Sequence, residues 1–251
     1  MTARPRLIRS SESSEATGGE RPDWFPEARA AFVRRLADPS GYPCHFGVRG
    51  EQAGNNWFTA YDDLAGLAED LRAFAKVAET GPTRQSLVVF VGPPDTSLGL
   101  AEDAVRFWRL LDDLRQHDAS RWPAGLPQNP GAADWQWCFA GRPWFVFGCS
   151  PSYEKRRSRN VGPCLTLVFQ LVERVFQGLS GSTVAGKAAK RQIRARLREY
   201  DAVGPHPHLG DPLHSSTHKW RQYFLPDDDA LADATACPLT GARWTDTEGY
   251  A

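Results

Sequence analysis

The segment SLVVFVG, residues 86–92, is the feature that most restricts how this chain can fold. An unbroken run of β-branched and aromatic residues is typical of a strand at the centre of a sheet. On either side of it lie DDLAGLAEDLRAFAKVAE and LAEDAVRFWRLLDDLRQHD, whose apolar residues recur at helical spacing. A central strand between two amphipathic helices predicts a sheet packed with helices.

Further strand signals indicate how the sheet is built. DWQWCFAGRPWFVFGCS, residues 134–150, contains two aromatic runs joined by Gly-Arg-Pro, which predicts an antiparallel hairpin. LTLVFQL, residues 165–171, predicts another strand that leads into a short helix. WFTAY, residues 57–61, has strand character, and YPCHFGVRG, residues 42–50, is expected to pair with it rather than form a helix. We therefore predict an α+β fold with a mixed, mostly antiparallel sheet.

The two ends of the chain differ in character. Residues 1–21 are polar, with a Ser/Glu/Gly cluster, and are expected to form a disordered arm. A helix is predicted over residues 23–38, and a long, strongly basic helix over residues 182–202. Because neither a linker nor an internal repeat follows the arm, residues 22–251 are expected to form a single domain.

Composition narrows the classes of partner. Lys+Arg and Asp+Glu both number 30 in the 251 residues, so no basic field is available to attract nucleic acid or anionic lipid. Five cysteines without a CxxC pair indicate neither a disulfide framework nor a zinc knuckle, which favours a reducing cytoplasm. The sequence predicts neither a signal peptide nor a membrane-spanning segment. A small molecule is the expected partner.

Four of the six histidines lie in HPHLGDPLHSSTH, residues 206–218. One interpretation is a non-heme metal site, either two histidines and one carboxylate for iron or a closed zinc site, drawn from His206, His208, Asp211, His214 and His218. The spacing matches no recognised metal motif, and a proline between the first two histidines hinders their sharing one ion. A second interpretation is a single axial histidine for heme, which needs only one imidazole from the protein.

A cluster of basic residues follows the predicted hairpin directly, in SYEKRRSRNVG, residues 152–162. Guanidinium forks recognise carboxylates and phosphates, and heme propionates are carboxylates. The alternative is a basic turn at the edge of the sheet. The chain contains no GxGxxG, GxxxxGK[ST] or GxSxG motif, so nucleotide-binding and serine-hydrolase chemistry have no support.

An ordered set of short motifs identifies a resemblance to a known family. The motifs, which run from Tyr42 to Gly241, are YPCHFGVRG, PWFVFGCSPSYEKRRSRNVG, HPHLG, WRQYFLPDDD and CPLTG. Together they resemble the YqcI/YcgG family, whose members include heme-dependent hydroxylases of amino-acid and guanidine nitrogen. Within that family the sequence is most similar to the heme enzymes of D-cycloserine biosynthesis, which convert L-arginine to Nω-hydroxy-L-arginine.

The resemblance implies a heme b cofactor and a set of residues around it. His206 matches the histidine of the family's HPxLG motif, which implies that it is the catalytic axial ligand of the iron. Cys44 of PCxFG is the alternative ligand, as a thiolate. Arg157 and Arg159 are expected to pair with propionates or with the substrate carboxylate, and Trp144 of the aromatic hairpin is expected to line the heme pocket.

The implied reaction is oxygen transfer from O2 to a side-chain nitrogen, with arginine as the favoured substrate and lysine or another guanidine as alternatives. Because the chain has no flavin or nicotinamide motif, electrons are expected from a separate reductase, or oxygen from peroxide. Two other classes stay open, namely a heme-binding protein without catalysis and a non-heme metalloenzyme that uses residues 206–218. The sequence also leaves open whether the protein forms a homodimer.

Overall fold

The computed structural model describes residues 6–12, 21–38, 41–93, 98–132, 134–179, 183–209, 218–231 and 237–239. The strands are β1 (Ile8–Arg9), β2 (Asn56–Tyr61), β3 (Ser86–Val91), β4 (Trp137–Phe139), β5 (Arg142–Cys149) and β6 (Leu165–Leu171). The helices are α1 (Phe25–Leu36), α2 (His45–Gln52), α3 (Leu64–Thr80), α4 (Leu100–Gln116), α5 (Val172–Val175) and α6 (Val184–Tyr200). Short 3₁₀ turns span Arg157–Arg159 and Lys219–Gln222.

The strands form one six-stranded sheet in the order β1-β2-β3-β6-β5-β4. Every neighbouring pair is antiparallel except β2 and β3, which run parallel because α3 connects them as a crossover. The predicted α+β class and the mostly antiparallel sheet are therefore confirmed. As predicted, β3 lies inside the sheet, and all six of its residues are buried.

The predicted aromatic hairpin forms from β4 and β5. Its turn consists of Ala140 and Gly141, whose φ angles are 54° and 70°. Positive φ at both central residues is typical of the tight turns that match the twist of a two-stranded ribbon. The turn therefore begins one residue before the predicted Gly-Arg-Pro link. Of that link only Gly141 belongs to the turn, because Arg142 and Pro143 are already part of β5.

Helices α3 and α4 cover one face of the sheet. In α3, Leu67, Leu71 and Phe74 form an apolar stripe that is fully buried with Leu87 of β3. The helix begins at Asp63, whose carboxylate accepts a 2.7 Å hydrogen bond from the backbone N–H of Gly66. This face is closed, so it is the structural core rather than a binding surface.

Helix α1 covers only part of the opposite face. Phe25 of α1 meets Phe90 edge to face at 5.8 Å, and Phe32 meets Phe58 at 5.7 Å. These contacts bury the β2 and β3 side of the sheet. On β5, Phe147 of the same face is only half-buried, so the face is open on the β5 side.

Residues 6–12 belong to the fold, whereas the sequence predicted a disordered arm over 1–21. Leu7 and Ile8 are buried, and Ile8 pairs with Phe58 of β2. The backbone N–H of Arg6 donates a 2.9 Å hydrogen bond to the Asp70 carboxylate. Two adjacent apolar residues in an otherwise polar segment suffice for a short edge strand. Residues 1–5 and 13–20 lie outside the described residues.

Residues 45–52 form helix α2, whereas the sequence predicted an extended segment paired with β2. Glycine disfavours a helix, and α2 contains two. Gly47 lies beside α1 and Gly50 beside the turn before β3, where an added Cβ would be at ordinary contact distance, 3.6 Å from Cδ2 of Leu36 and 3.8 Å from the carbonyl oxygen of Arg84. Packing against these neighbours therefore outweighs the low helix propensity. Within the described segments, no helix has the length and apolarity needed to cross a bilayer.

Candidate functional site

A cavity of about 540 Å³ lies over the uncovered part of the sheet, between that face and helices α2 and α6. We call it the main cavity. Its floor includes Phe145 and Phe147 of β5 and Val168 of β6, and Phe46 of α2 contributes to a wall. The volume is typical of sites for cofactors and small ligands, as is a mainly apolar lining with a few polar groups.

Three polar side chains lie side by side on the cavity floor, and we call them the polar row: Asn56, Ser86 and Gln170. Asn56 pairs with Ser86 across β2 and β3, and Gln170 lies opposite Ser86, one step beyond the Leu87–Phe169 pair. The next row along the same face is Phe58, Val88 and Val168.

Two side chains of the polar row are buried, although polar side chains are usually exposed. Asn56 and Ser86 are only 4% and 7% exposed. Buried polar groups are costly unless they form hydrogen bonds. Gln170 donates from Nε2 to Oγ of Ser86 at 2.8 Å, and Asn56 donates from Nδ2 to the Glu51 carboxylate at 2.7 Å. The row is therefore an ordered group of dipoles at one end of an apolar floor.

Cys44 lines the main cavity at the position that precedes α2. Burial raises the pKa of its thiol, while the backbone N–H groups of Gly47 and Phe46 and the charges of Arg159 and Arg196 act in the opposite direction. These four groups are the kind that stabilise a thiolate. Burial outweighs them, so the pKa stays above its usual value and the protein alone favours the thiol, while these groups would act on a thiolate once a metal had displaced the proton.

A second thiol, that of Cys149, also lines the main cavity. Burial raises its pKa to about 11, and the charge of Arg159 is the one opposing influence. In contrast to Cys44, no backbone N–H group at the start of a helix lowers the pKa of Cys149. Cys44 is therefore the better suited of the two to ligate a metal.

Three cations border the main cavity, namely Arg84, Lys190 and Lys219, and the described lining residues include no aspartate or glutamate. Burial lowers the pKa of Lys219, the charge of Asp134 acts in the opposite direction, and the charge of Lys190 lowers the pKa further. Two ammonium groups so close together favour an anion between them. The cavity is therefore electrostatically suited to a ligand that carries carboxylates.

His206 is buried but does not line the main cavity. Its Nδ1 accepts from the backbone N–H of His208 at 3.1 Å, and its Nε2 lies 3.0 Å from the carbonyl oxygen of Ala230. Burial lowers the pKa of the ring. Both ring nitrogens are therefore occupied by protein groups, and the role of His206 as axial ligand stays a prediction.

The structure does not bring the other predicted residues into the cavity. Trp144 faces the α3 and α4 side of the sheet and donates from Nε1 to the Phe139 carbonyl at 2.9 Å. The Arg159 guanidinium lies 5.0 Å from the Phe147 ring and donates to the Gly148 and Gln222 carbonyls.

Arg157 is exposed and contacts the Tyr200 carbonyl at the edge of a separate, smaller pocket. Of the five predicted heme residues, only Cys44 lines the main cavity. The predicted non-heme site cannot be assembled from what is described, since Asp211 and His214 lie outside those residues. Among the residues that are described, no group of three His, Cys, Asp or Glu side chains is placed to hold a metal.

The basic motif beside the hairpin holds the protein together instead of facing a ligand. The buried guanidinium of Arg156 donates to the Pro226, Gly204 and Asp228 carbonyls and to the Asp229 carboxylate. The Asp227 carboxylate accepts from the backbone N–H groups of residues 154–156. The opposite charges of EKRR and PDDD were a signal for this pairing that the sequence prediction did not use.

The sequence matches one family model and several known proteins. The model of the YqcI/YcgG family matches residues 32–240. YqcI of Bacillus subtilis (strain 168), an uncharacterized protein, is 38% identical over 163 residues, which is 64% of this chain and 63% of that protein. The chain thus matches less than two thirds of the length of YqcI. YcgG of the same organism, also uncharacterized, is 36% identical over 177 residues, 69% of this chain and 68% of that protein.

One relative carries a functional name. It is the protein of Streptomyces lavendulae named "Putative N(omega)-hydroxy-L-arginine synthase DcsA", which is 29% identical over 238 residues. The match covers 91% of this chain and 88% of that protein, so it includes almost the whole described fold. A search of solved structures found no significant match.

Proposed function

Because the chain belongs to the YqcI/YcgG family, we propose that it is a heme-dependent N-hydroxylase of an amino-acid side chain, with L-arginine as the favoured substrate and heme b as cofactor. The observation that carries the proposal is the main cavity, an apolar space with a thiol supported for ligation at one wall. The name of the Streptomyces relative supports the choice of arginine.

The chemistry of the cavity fits a heme. Its flat aromatic walls, Phe46, Phe145 and Phe147, suit a planar apolar macrocycle. Cys44 would hold the iron, and the N–H groups of Phe46 and Gly47 would stabilise its thiolate. Ligation by His206 would require the loss of two internal hydrogen bonds and a move of the ring out of its buried position.

The propionates of the cofactor would pair with Lys190 and Lys219 at the edge of the cavity. Burial and the like charge of Lys190 lower the pKa of Lys219, and Asp134 offsets them only in part, so an anionic group between the two lysines would relieve the remaining repulsion. Arg157 and Arg159, proposed for this role on sequence grounds, would need to leave their backbone partners to reach the main cavity.

Heme supplies the oxygen activation that no side chain can provide. The chain contributes the thiolate at Cys44 and apolar walls that exclude water from the reacting nitrogen. Electrons would come from a separate reductase, or oxygen from peroxide. A hydroxylated arginine would serve as a precursor in natural-product biosynthesis of the D-cycloserine type.

The test is a heme titration of the purified protein, with Cys44→Ser and Cys149→Ser compared in parallel. We expect wild type and Cys149→Ser to give the long-wavelength band of thiolate-ligated heme after reduction in carbon monoxide, and Cys44→Ser to lose it. Cys149→Ser is the matched control because both thiols line the same cavity.

Catalysis is tested separately. The heme-loaded protein is incubated with L-arginine or L-lysine and either a reductase system or peroxide, and the product is analysed for the mass of one added oxygen. A wild-type protein that binds no heme overturns the proposal. A protein that binds heme but hydroxylates neither amino acid supports a non-catalytic heme protein instead.

A further inference from the structure

We propose that Arg84 and the polar row together form a subsite for the α-carboxylate and α-ammonium groups of a free amino acid. The inference rests on the proposed function, because it assumes that an amino acid enters the main cavity. It adds a statement about the substrate class: the protein selects a free amino acid rather than an amine or a guanidine that lacks the amino-acid head group.

Arg84 is built to present its guanidinium to the cavity. The guanidinium lies over the Phe46 ring at 5.3 Å and donates from one terminal nitrogen to the Gln177 carbonyl at 2.9 Å and from the other to Oγ1 of Thr83 at 3.4 Å. Its Nε is buried and has no hydrogen-bond partner among the described residues. Because Nε is enclosed by protein atoms, a carboxylate in the cavity would bind the terminal nitrogens, each of which keeps a second N–H donor.

The backbone of Arg84 supports the same conclusion. Its φ of 62° lies in the left-handed region, which is unusual for a residue other than glycine, asparagine or aspartate. Strain of this kind persists only where the surrounding structure over-determines the backbone, and it is concentrated at binding sites and active sites. Here the strained residue borders the cavity and precedes Ser86 of the polar row by two positions.

The polar row presents acceptors beside this cation. Asn56 must direct its Nδ2 toward Glu51, since a carboxylate only accepts, and its Oδ1 then has no partner among the described residues. Gln170 directs its Nε2 toward Ser86, so its Oε1 also has no hydrogen-bond partner among the described residues. Two amide oxygens that line a cavity, with a carboxylate behind one of them, suit an ammonium group with its three donors.

The combination favours a zwitterion over either charge alone. A ligand with only a positive charge would be repelled by Arg84, and one with only a negative charge would face the amide oxygens and Glu51. Gln170 of the polar row lies four residues from Thr166 along β6, which is roughly 13 Å. Thr166 pairs with Cys149 across β5 and β6. Cys44 and Cys149 both lie near Tyr42. A head group at the polar row therefore leaves the side chain to extend toward Cys44.

A carboxylate at Arg84 has two possible sources, the substrate or a heme propionate, and the test separates them. Calorimetry measures binding of three ligands to the heme-loaded protein: L-arginine, agmatine, which lacks the carboxylate, and 5-guanidinopentanoate, which lacks the α-amino group. Heme affinity is titrated independently for every variant. The readout is binding, so it does not depend on turnover.

We expect wild type to bind L-arginine more tightly than either analogue by about tenfold or more, the usual worth of one charge-assisted hydrogen bond. Arg84→Asn, which tolerates the left-handed backbone, should abolish the preference over agmatine, and Arg84→Lys should restore part of it. Gln170→Leu should abolish the preference over 5-guanidinopentanoate. The variants should keep wild-type heme affinity.

Three results would overturn the inference. The first is an arginine-to-agmatine ratio that Arg84→Asn leaves unchanged. The second is a loss of heme affinity in Arg84→Asn with the ratio preserved, which would place a propionate at Arg84. The third is equal binding of all three ligands, or of none, by wild type. A wild type that prefers arginine but never hydroxylates it would count against the proposed function alone.

Discussion

The backbone N–H of His208 donates a 3.1 Å hydrogen bond to Nδ1 of His206. Because Nδ1 accepts, the ring proton lies on Nε2, which donates to the carbonyl of Ala230 at 3.0 Å. The ring therefore links the HPHL turn to the segment that follows PDDD. This explains a conspicuous histidine without requiring it to bind a metal.

From this geometry we expect His206→Ala to lower the free energy of unfolding by about 2 kcal/mol, because a buried donor and acceptor lose their partners. The thiolate-type heme spectrum should persist. Urea unfolding and a heme titration measure the two effects, and His117→Ala at an exposed position serves as control. Loss of the heme band without loss of stability would instead identify His206 as the ligand.

Gly47 allows a test of the space next to Cys44. A Cβ there would lie 3.6 Å from Cδ2 of Leu36 and 3.9 Å from Sγ of Cys44, which is ordinary contact. We expect Gly47→Ala to raise the free energy of unfolding by about 0.5–1 kcal/mol through helix propensity and to keep heme binding. Gly47→Leu should fold but lose heme affinity, since its longer side chain occupies the cavity.

Gly47→Ala and Gly47→Leu both remove the same glycine, so a difference in heme affinity between them reports the effect of side-chain size alone. Thermal unfolding and heme titration are measured on each. If Gly47→Leu bound heme as wild type does, the cofactor would not lie beside Cys44, and the proposed ligand would be wrong.

Long periodic patterns made most of the fold predictable from the sequence. The SLVVFVG strand, helices α3, α4 and α6 and the aromatic hairpin all form where predicted, because each carries enough apolar residues to define one buried face. Helix α2 was missed because Gly47 and Gly50 interrupt its pattern, and it forms through packing on Leu36 and Arg84. Local propensity cannot show such long-range support.

The candidate site was predictable only in part. The family motif already named Cys44, as the alternative ligand, and the structure places it in the main cavity. The polar row could not be seen in the sequence, because Asn56, Ser86 and Gln170 become neighbours only through the register of β2, β3 and β6. Arg156 and Asp229 are 73 positions apart, so local reasoning did not pair them, although the opposite charges of EKRR and PDDD were a signal for it.

The edge strand β1 should contribute measurably to stability. Ile8 is fully buried and pairs with Phe58, so Ile8→Ala should lower the free energy of unfolding by about 3 kcal/mol. Leu231, which is 56% exposed, provides the matched control as Leu231→Ala, with little expected effect. Chemical denaturation measures both. Equal stability of wild type and Ile8→Ala would show that the N-terminal segment is not part of the folded core.

Asp70 should make stability depend on pH. Its carboxylate is 1% exposed and accepts from Oγ1 of Thr59 at 2.6 Å and from the backbone N–H of Arg6 at 2.9 Å. Burial nevertheless raises its pKa above the usual 3.8. Since folding favours the protonated form, the stability contributed by this group is complete below 3.8 and is lost as the pH rises through the folded pKa.

Asp70→Asn carries no charge at any pH; its one oxygen can accept from the backbone N–H of Arg6, and its amide NH2 can donate to Oγ1 of Thr59. We therefore expect its free energy of unfolding, relative to wild type, to increase between roughly pH 4 and 7. Urea unfolding at several pH values measures this difference, and the exposed Asp23→Asn corrects for the change in net charge. A difference that stays constant over this range would mean that the carboxyl of Asp70 titrates alike in the folded and unfolded chain, and that its hydrogen bonds and the Arg6 charge fully offset its burial.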